Sequence, residues 1–102
     1  MEIDYPYKLS DQDARSRLDI LGKYLANKHG IQVTWSEPSK ARFSGKYLVV
    51  KIEGELSLGN GQAKFRGEDP GFLWRGKAKA YIQEKLAMYL DPQTPADQLP
   101  TS

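Results

Sequence analysis

The chain has 102 residues, 39% hydrophobic and 27% charged, and its 15 lysines and arginines against 13 acidic residues leave a formal net charge of +2. That length suits one domain around a single core, and so balanced a charge argues against a dedicated DNA-binding protein, which must neutralise several phosphates at once. With no cysteine, disulfides, thiolate catalysis and cysteine metal sites are excluded.

The N-terminal "EIDYPYKL" alternates apolar or aromatic residues at Ile3, Tyr5, Tyr7 and Leu9, the period of a strand. Pro6 cannot donate to a ladder, so the strand belongs at a sheet edge. In "SDQDARSRLDILGKYLANKHG", Ser10 and Asp13 have capping-box spacing, with Asp in place of the usual Glu. Ala14, Leu18, Leu21 and Leu25 form a helical stripe flanked by Ile20 and Tyr24. Lys28 and His29 suit the negative helix end, and Gly30 suits the position just beyond it.

From Ile31 to about Gly67 the period changes to two. Ile31, Val33 and Trp35 share a face, and a short turn at Glu37 to Ser39 would oppose Trp35 to Ala41 and Val33 to Phe43. "SGKY" reads as a two-residue hairpin with Gly45 first, which sets Phe43 opposite Leu48 and Ala41 opposite Val50. Leu48, Val50, Ile52, Leu56 and Leu58 then share one face, with Gly54 at the missing apolar position, suggesting a bend or bulge. Asn60-Gly61 in "GNGQ" fits a type I′ turn that pairs Leu58 with Ala63, Leu56 with Phe65, Glu55 with Arg66 and Ser57 with Lys64.

In "EDPGFLWRGKAKAYIQEKLAMYL", Asp69 is a candidate N-cap and Pro70 a candidate first helical residue. Trp74, Ala78, Tyr81, Ile82, Leu86 and Tyr89 follow at helical spacing, while Gly76 weakens the first turns and Asp91-Pro92 ends the helix. The tail 92–102 is polar and proline-rich and is expected to be disordered. The whole predicts one α+β domain over residues 1–91. It has an antiparallel sheet of about five strands, in the order β-α-β-β-β-β-α, with two helices packed on one face. "MEIDYPYKLS" has no apolar signal-peptide core and no apolar stretch approaches a membrane span. A soluble cytoplasmic protein, monomer or homodimer, is therefore expected.

Few residues suggest chemistry. His29 has no second histidine or cysteine for a transition metal and is better explained by the helix end. Asp11 and Asp13 are explained by capping, and Glu53 and Glu55 by solvated strand positions. No serine lies in a nucleophile elbow and no glycine run has the Walker spacing. The expectation is a protein without catalysis and without a cofactor. Its notable surface is basic and aromatic: Arg42, Lys46, Lys51, Lys64, Arg66, Arg75, Lys77, Lys79 and Lys85 are interleaved with Phe43, Tyr47, Phe65, Phe72 and Trp74. Such a mixture on an open sheet can bind nucleic acid, yet Phe43 and Phe65 fall on the core face, leaving Tyr47 and Val49 as too small a stacking platform. Alternatively, incomplete closure of the last helix over the sheet would leave an apolar pocket lined by Trp35, Leu48, Leu56, Trp74 and Tyr81.

The segments "ARSRLDILGKYLANKHGIQVTW", "ARFSGK" and "DPGFLWRGKAKAYIQEKLAMYLD" resemble the putative polyhydroxyalkanoic acid system protein family, small bacterial proteins associated with polyhydroxyalkanoate storage. The resemblance spans about Ile3 to Leu90, and Ile82, Leu86 and Leu90 match its closing helix pattern. A lengthened strand through "VVKIEGELSL" and the proline-rich tail depart from that pattern. The resemblance implies a non-enzymatic accessory role at storage granules, with the granule surface or granule proteins as partners, and carries over no established functional residue. The site expected from the residues is the start of the last helix, where Phe72, Leu73 and Trp74 lie beside Arg75, Lys77 and Lys79. A nucleic-acid module using the basic sheet face is the alternative reading, and a carrier of a small hydrophobic ligand the third.

Overall fold

A computed structural model describes residues 1–47 and 50–102, with the backbone alone at Tyr47. The elements are β1 (Glu2–Pro6), α1 (Asp11–His29), β2 (Gln32–Glu37), β3 (Lys40–Tyr47), β4 (Val50–Gly59), β5 (Gln62–Gly67) and α2 (Phe72–Tyr89), then a 3₁₀ turn at Ala96–Gln98. The five strands form one antiparallel sheet in the order β1-β5-β4-β3-β2. The meander β2 to β5 is joined by β1 at its β5 edge, as the position of Pro6 requires.

Helix α1 follows the sequence closely. The Ser10 hydroxyl accepts from the Asp13 amide at 3.1 Å, and Gly30 closes the far end in the left-handed region at φ 70°. The capping box is only half formed, because the Asp13 carboxylate turns to the Arg17 guanidinium at 3.3 Å. Ala14, Leu18, Leu21 and Leu25 are buried as the stripe predicts, and they meet Ile3, Leu56, Leu58, Ala63 and Phe65 of the sheet in one core.

The two predicted outer hairpins hold. Trp35 pairs with Ala41 and Val33 with Phe43, with a bulge between Trp35 and Glu37 on β2. Leu58 pairs with Ala63, Leu56 with Phe65 and Glu55 with Arg66, through a turn whose Asn60 and Gly61 both have positive φ.

The middle hairpin differs from expectation. Strand β3 continues through Gly45 to Tyr47, so Ala41 pairs with Leu56, Phe43 with Gly54 and Tyr47 with Val50. A turn at Gly45-Lys46 is thereby corrected, while the expected position of Leu48 opposite Phe43 falls outside the described residues. The glycine answers a different requirement: a Cβ at Gly45 would lie 3.0 Å from the Ile31 Cα, so the strand needs a bare backbone where the chain leaves α1. Gly54 also needs no bend or bulge, since the β3 ladder runs through it without a shift and the β5 ladder reaches it in register with Gly67. Its missing side chain makes room for the Phe65 ring, whose Cζ would be 2.6 Å from an added Cβ.

The start of α2 and the tail are corrected too. The helix begins at Phe72 with Gly71, not Asp69, at the N-cap, and Gly71 contributes no side-chain cap. Asp69 instead accepts from the Gly71 amide at 2.9 Å and pairs with Arg75. The tail, expected to be disordered, packs back: Leu99 is buried, the Tyr89 hydroxyl donates to the Pro100 carbonyl at 2.6 Å, and Asn27 donates to the Thr101 carbonyl at 2.7 Å.

Arg17 is a buried charge on α1 whose guanidinium donates to the Asp91 carbonyl at 2.9 Å and more loosely, at 3.5 Å, to that of Tyr89. It supplies donors to the carbonyl end of α2, which the helix cannot satisfy itself. Truncation of Arg17 to leucine leaves those carbonyls without a donor and should cost about 1–3 kcal/mol, read as a lower denaturation midpoint. Gly54→Ala should cost a similar ~1–3 kcal/mol by overpacking Phe65, and Gly59→Ala, where an added Cβ meets nothing within 4 Å, is the control.

Candidate functional site

Helix α2 is anchored at one end only. Its last turns bury Leu86 and Tyr89, with Leu90 just beyond. Towards the N-terminus Trp74, Ala78, Tyr81 and Ile82 are half-buried, and Phe72 and Leu73 are 80% and 75% exposed. The stripe predicted from the spacing is real, but its first half stands off the sheet.

The space beneath is an apolar cavity of about 450 Å³. Phe43, Ile52, Leu56 and Phe65 line it from the sheet, Leu21 and Leu25 from α1, and Trp74, Ala78, Tyr81, Ile82 and Leu86 from α2. Phe43 and Phe65 meet edge to face with ring centroids 5.9 Å apart, the arrangement the aromatic quadrupole favours. Of the residues expected to line such a pocket, Leu56, Trp74 and Tyr81 do so. Trp35 does not: it lies in a shallow groove with Gln12 and Ser16, its ring 3.6 Å beneath the Arg15 guanidinium. Leu48 lies outside the described residues.

Polar groups gather on the cavity's borders. Lys51, Glu53 and Glu68 border it on the sheet side, and His29, Lys77 and Lys85 on the helix side. Lys51 and Glu53 form an ion pair at 3.6 Å. Lys77 stands 5.7 Å from the centroid of the Trp74 ring, and Lys85 stands 4.6 Å from that of Tyr24 and 5.4 Å from that of Tyr81. Such positions attract a cation to the ring face. His29 Nε2 is 3.1 Å from the Tyr81 hydroxyl. Burial, then the charges of Lys28 and Lys85, lower its pKa from the ordinary 6.5.

The six residues expected at the helix start thus divide. Trp74 and Lys77 line the cavity. Phe72 and Leu73 form an apolar tip in solvent. Arg75 is exposed and held by Asp69 at 2.5 Å, a pairing that raises its pKa and, with the Gly71 amide, lowers that of Asp69. Lys79 is exposed. Sequence reasoning missed Lys85 and His29 as cavity residues. Their signal was positional, since Lys85 follows Tyr81 by four residues and so shares its helix face.

The open sheet face is of mixed charge. Asp4 pairs in register with Lys64 and Glu55 with Arg66, and Arg66 also bonds Glu2. Tyr5, Trp35, Phe43 and Phe65, the described aromatic side chains of the sheet, all share the covered face. Among the described residues no helix is long and apolar enough to cross a membrane, and no group of three metal-binding side chains occurs.

Comparison with known families matches residues 1–93 to the putative polyhydroxyalkanoic acid system protein family. The chain belongs to this family. No significant match was found to a curated protein or to a solved structure. Membership connects the chain with polyhydroxyalkanoate systems, and the matched span holds both the cavity and the exposed helix tip.

Because its folded pKa is lowered, His29 favours the folded state fully above about pH 6.5 and loses that contribution as pH falls through the lowered value. Denaturant midpoints measured from pH 7.5 down to 5 should therefore fall less steeply in His29→Gln than in the wild type.

Proposed function

We propose that the protein acts by binding, without catalysis, as an accessory protein of polyhydroxyalkanoate storage, and that the start of α2 docks on the hydrophobic polyester surface. The observation carrying this reading is the adjacent pair Phe72 and Leu73, both largely in water, beside Arg75, Lys77 and Lys79. Exposed single apolar residues are ordinary, but two large ones together at a helix tip have no folding role to explain them. Family membership, which connects the chain with polyhydroxyalkanoate systems, supports this choice of partner.

Magnitudes limit the mode of binding. Fully burying two such side chains contributes about 3–6 kcal/mol, which alone corresponds to a dissociation constant of roughly tens of micromolar at best. Association is therefore reversible, and the neighbouring cations add attraction to any anionic group at that surface. The nucleic-acid alternative draws no support from the open sheet face, whose bases are interleaved with acids.

Co-sedimentation with purified polyester granules tests the reading. The wild-type chain should pellet with granules, and Phe72→Ser/Leu73→Ser should lower the apparent affinity by about tenfold or more while its circular dichroism is unchanged. Equal pelleting of the two proteins would place docking elsewhere, and no pelleting of the wild type would reject it.

A further inference from the structure

We infer that the cavity beneath α2 is a binding site for a single-chain aliphatic carboxylate of medium length, its chain in the apolar interior and its carboxylate at the border that carries Lys77 and Lys85. This goes beyond docking at the helix tip and does not depend on it, since it concerns a soluble ligand and shares only Lys77 with that surface.

Size is the first argument. At about 450 Å³ the cavity falls within the range of ligand sites, roughly 300–1,000 Å³. Interiors are normally packed to crystal density, so an apolar space of this volume in 102 residues costs stability that better packing would recover. The sequence does not fill it. Ala78 is small where α2 crosses the cavity, and α2 is held to the core through Leu86 and Tyr89, leaving its first turns raised.

The walls select a chain. Leu56, Phe65, Ile82 and Leu21 present hydrocarbon and aromatic surface to the interior, which suits an unbranched alkyl chain. The border selects a charge. Lys51 is neutralised by Glu53, whereas Lys77 and Lys85 rest on aromatic faces with no carboxylate paired to either among the described residues. A cation over a ring keeps its remaining N–H donors for an anion. Both lysines line the cavity from one helix, eight residues and so about 12 Å apart. A carboxylate therefore pairs with one of them, while the other adds to the positive potential of that border. A ligand carboxylate there is complementary, while Glu68, which also lines the cavity, disfavours a second negative charge.

The full chain would be titrated calorimetrically with decanoate below its micelle concentration. Decanol and decyltrimethylammonium would serve as chain-matched neutral and cationic probes. Decanoate should bind saturably at one site per chain and more tightly than either control. Lys77→Glu with Lys85→Gln should weaken decanoate by about three- to tenfold and leave decanol within about twofold. Ala78→Trp should weaken binding of all three by occupying much of the space a chain would take, and Ile82→Trp serves the same purpose if the first tryptophan variant fails to fold. Absence of saturable decanoate binding would overturn the inference, as would tighter binding of the cationic probe or unchanged affinity in a folded cavity-filling variant. The assay contains no granules, so its failure leaves docking standing, and failure of granule pelleting leaves this inference standing.

Discussion

The Arg17 guanidinium under the end of α2 is the contact on which the upper layer of this protein depends. A charged group so deeply placed is tolerated because carboxylate and carbonyl oxygens surround it: Asp13 on its own helix, and Tyr89 and Asp91 from the other. It joins the two helices where one has spare acceptors, and it orients the chain leaving α2 so that Leu99 and Pro100 close over Tyr89. Helix–helix packing, helix termination and the course of the tail thus share one polar centre within an otherwise hydrophobic core.

An anchor at one end makes α2 asymmetric. From Tyr81 onward it is a core helix. Before Tyr81 it has a glycine N-cap, an internal glycine and side chains facing both solvent and cavity. Its apolar surface is therefore divided between an enclosed set around Trp74 and Ala78 and a free set at Phe72 and Leu73. An apolar cavity wall and an apolar tip in solvent thus lie within two turns of one helix.

Most of the fold was legible in the sequence because it rests on period and turn chemistry, which are local. The stripe of Ala14, Leu18, Leu21 and Leu25, the Gly30 cap and the Asn60-Gly61 hairpin needed nothing beyond their neighbours. Misreadings occurred where a residue answers to something distant in sequence. Gly45 looked like a turn because the approach of Ile31 is invisible in one dimension, and Gly54 looked like a bulge because Phe65 lies eleven residues further on. Composition alone suggested a loose tail, since the partners of Pro100 and Thr101 lie on the two helices, far away in sequence. At the candidate site the helix start was recognisable from its aromatic and basic residues. The cavity depends on how far α2 stands from the sheet, which no spacing in the sequence records.

The sheet leaves β1 and β2 as edges, and each carries an obstacle to further strand addition. Pro6 removes a donor at the end of β1, and the irregularity between Trp35 and Glu37 breaks the ladder spacing of β2. For a protein whose apolar helix tip is proposed to dock on a hydrophobic surface, this matters. Crowding there would favour edge-to-edge joining of sheets into fibrils, and the two interrupted borders disfavour that course, so that a dense surface layer can remain composed of separate, exchangeable molecules.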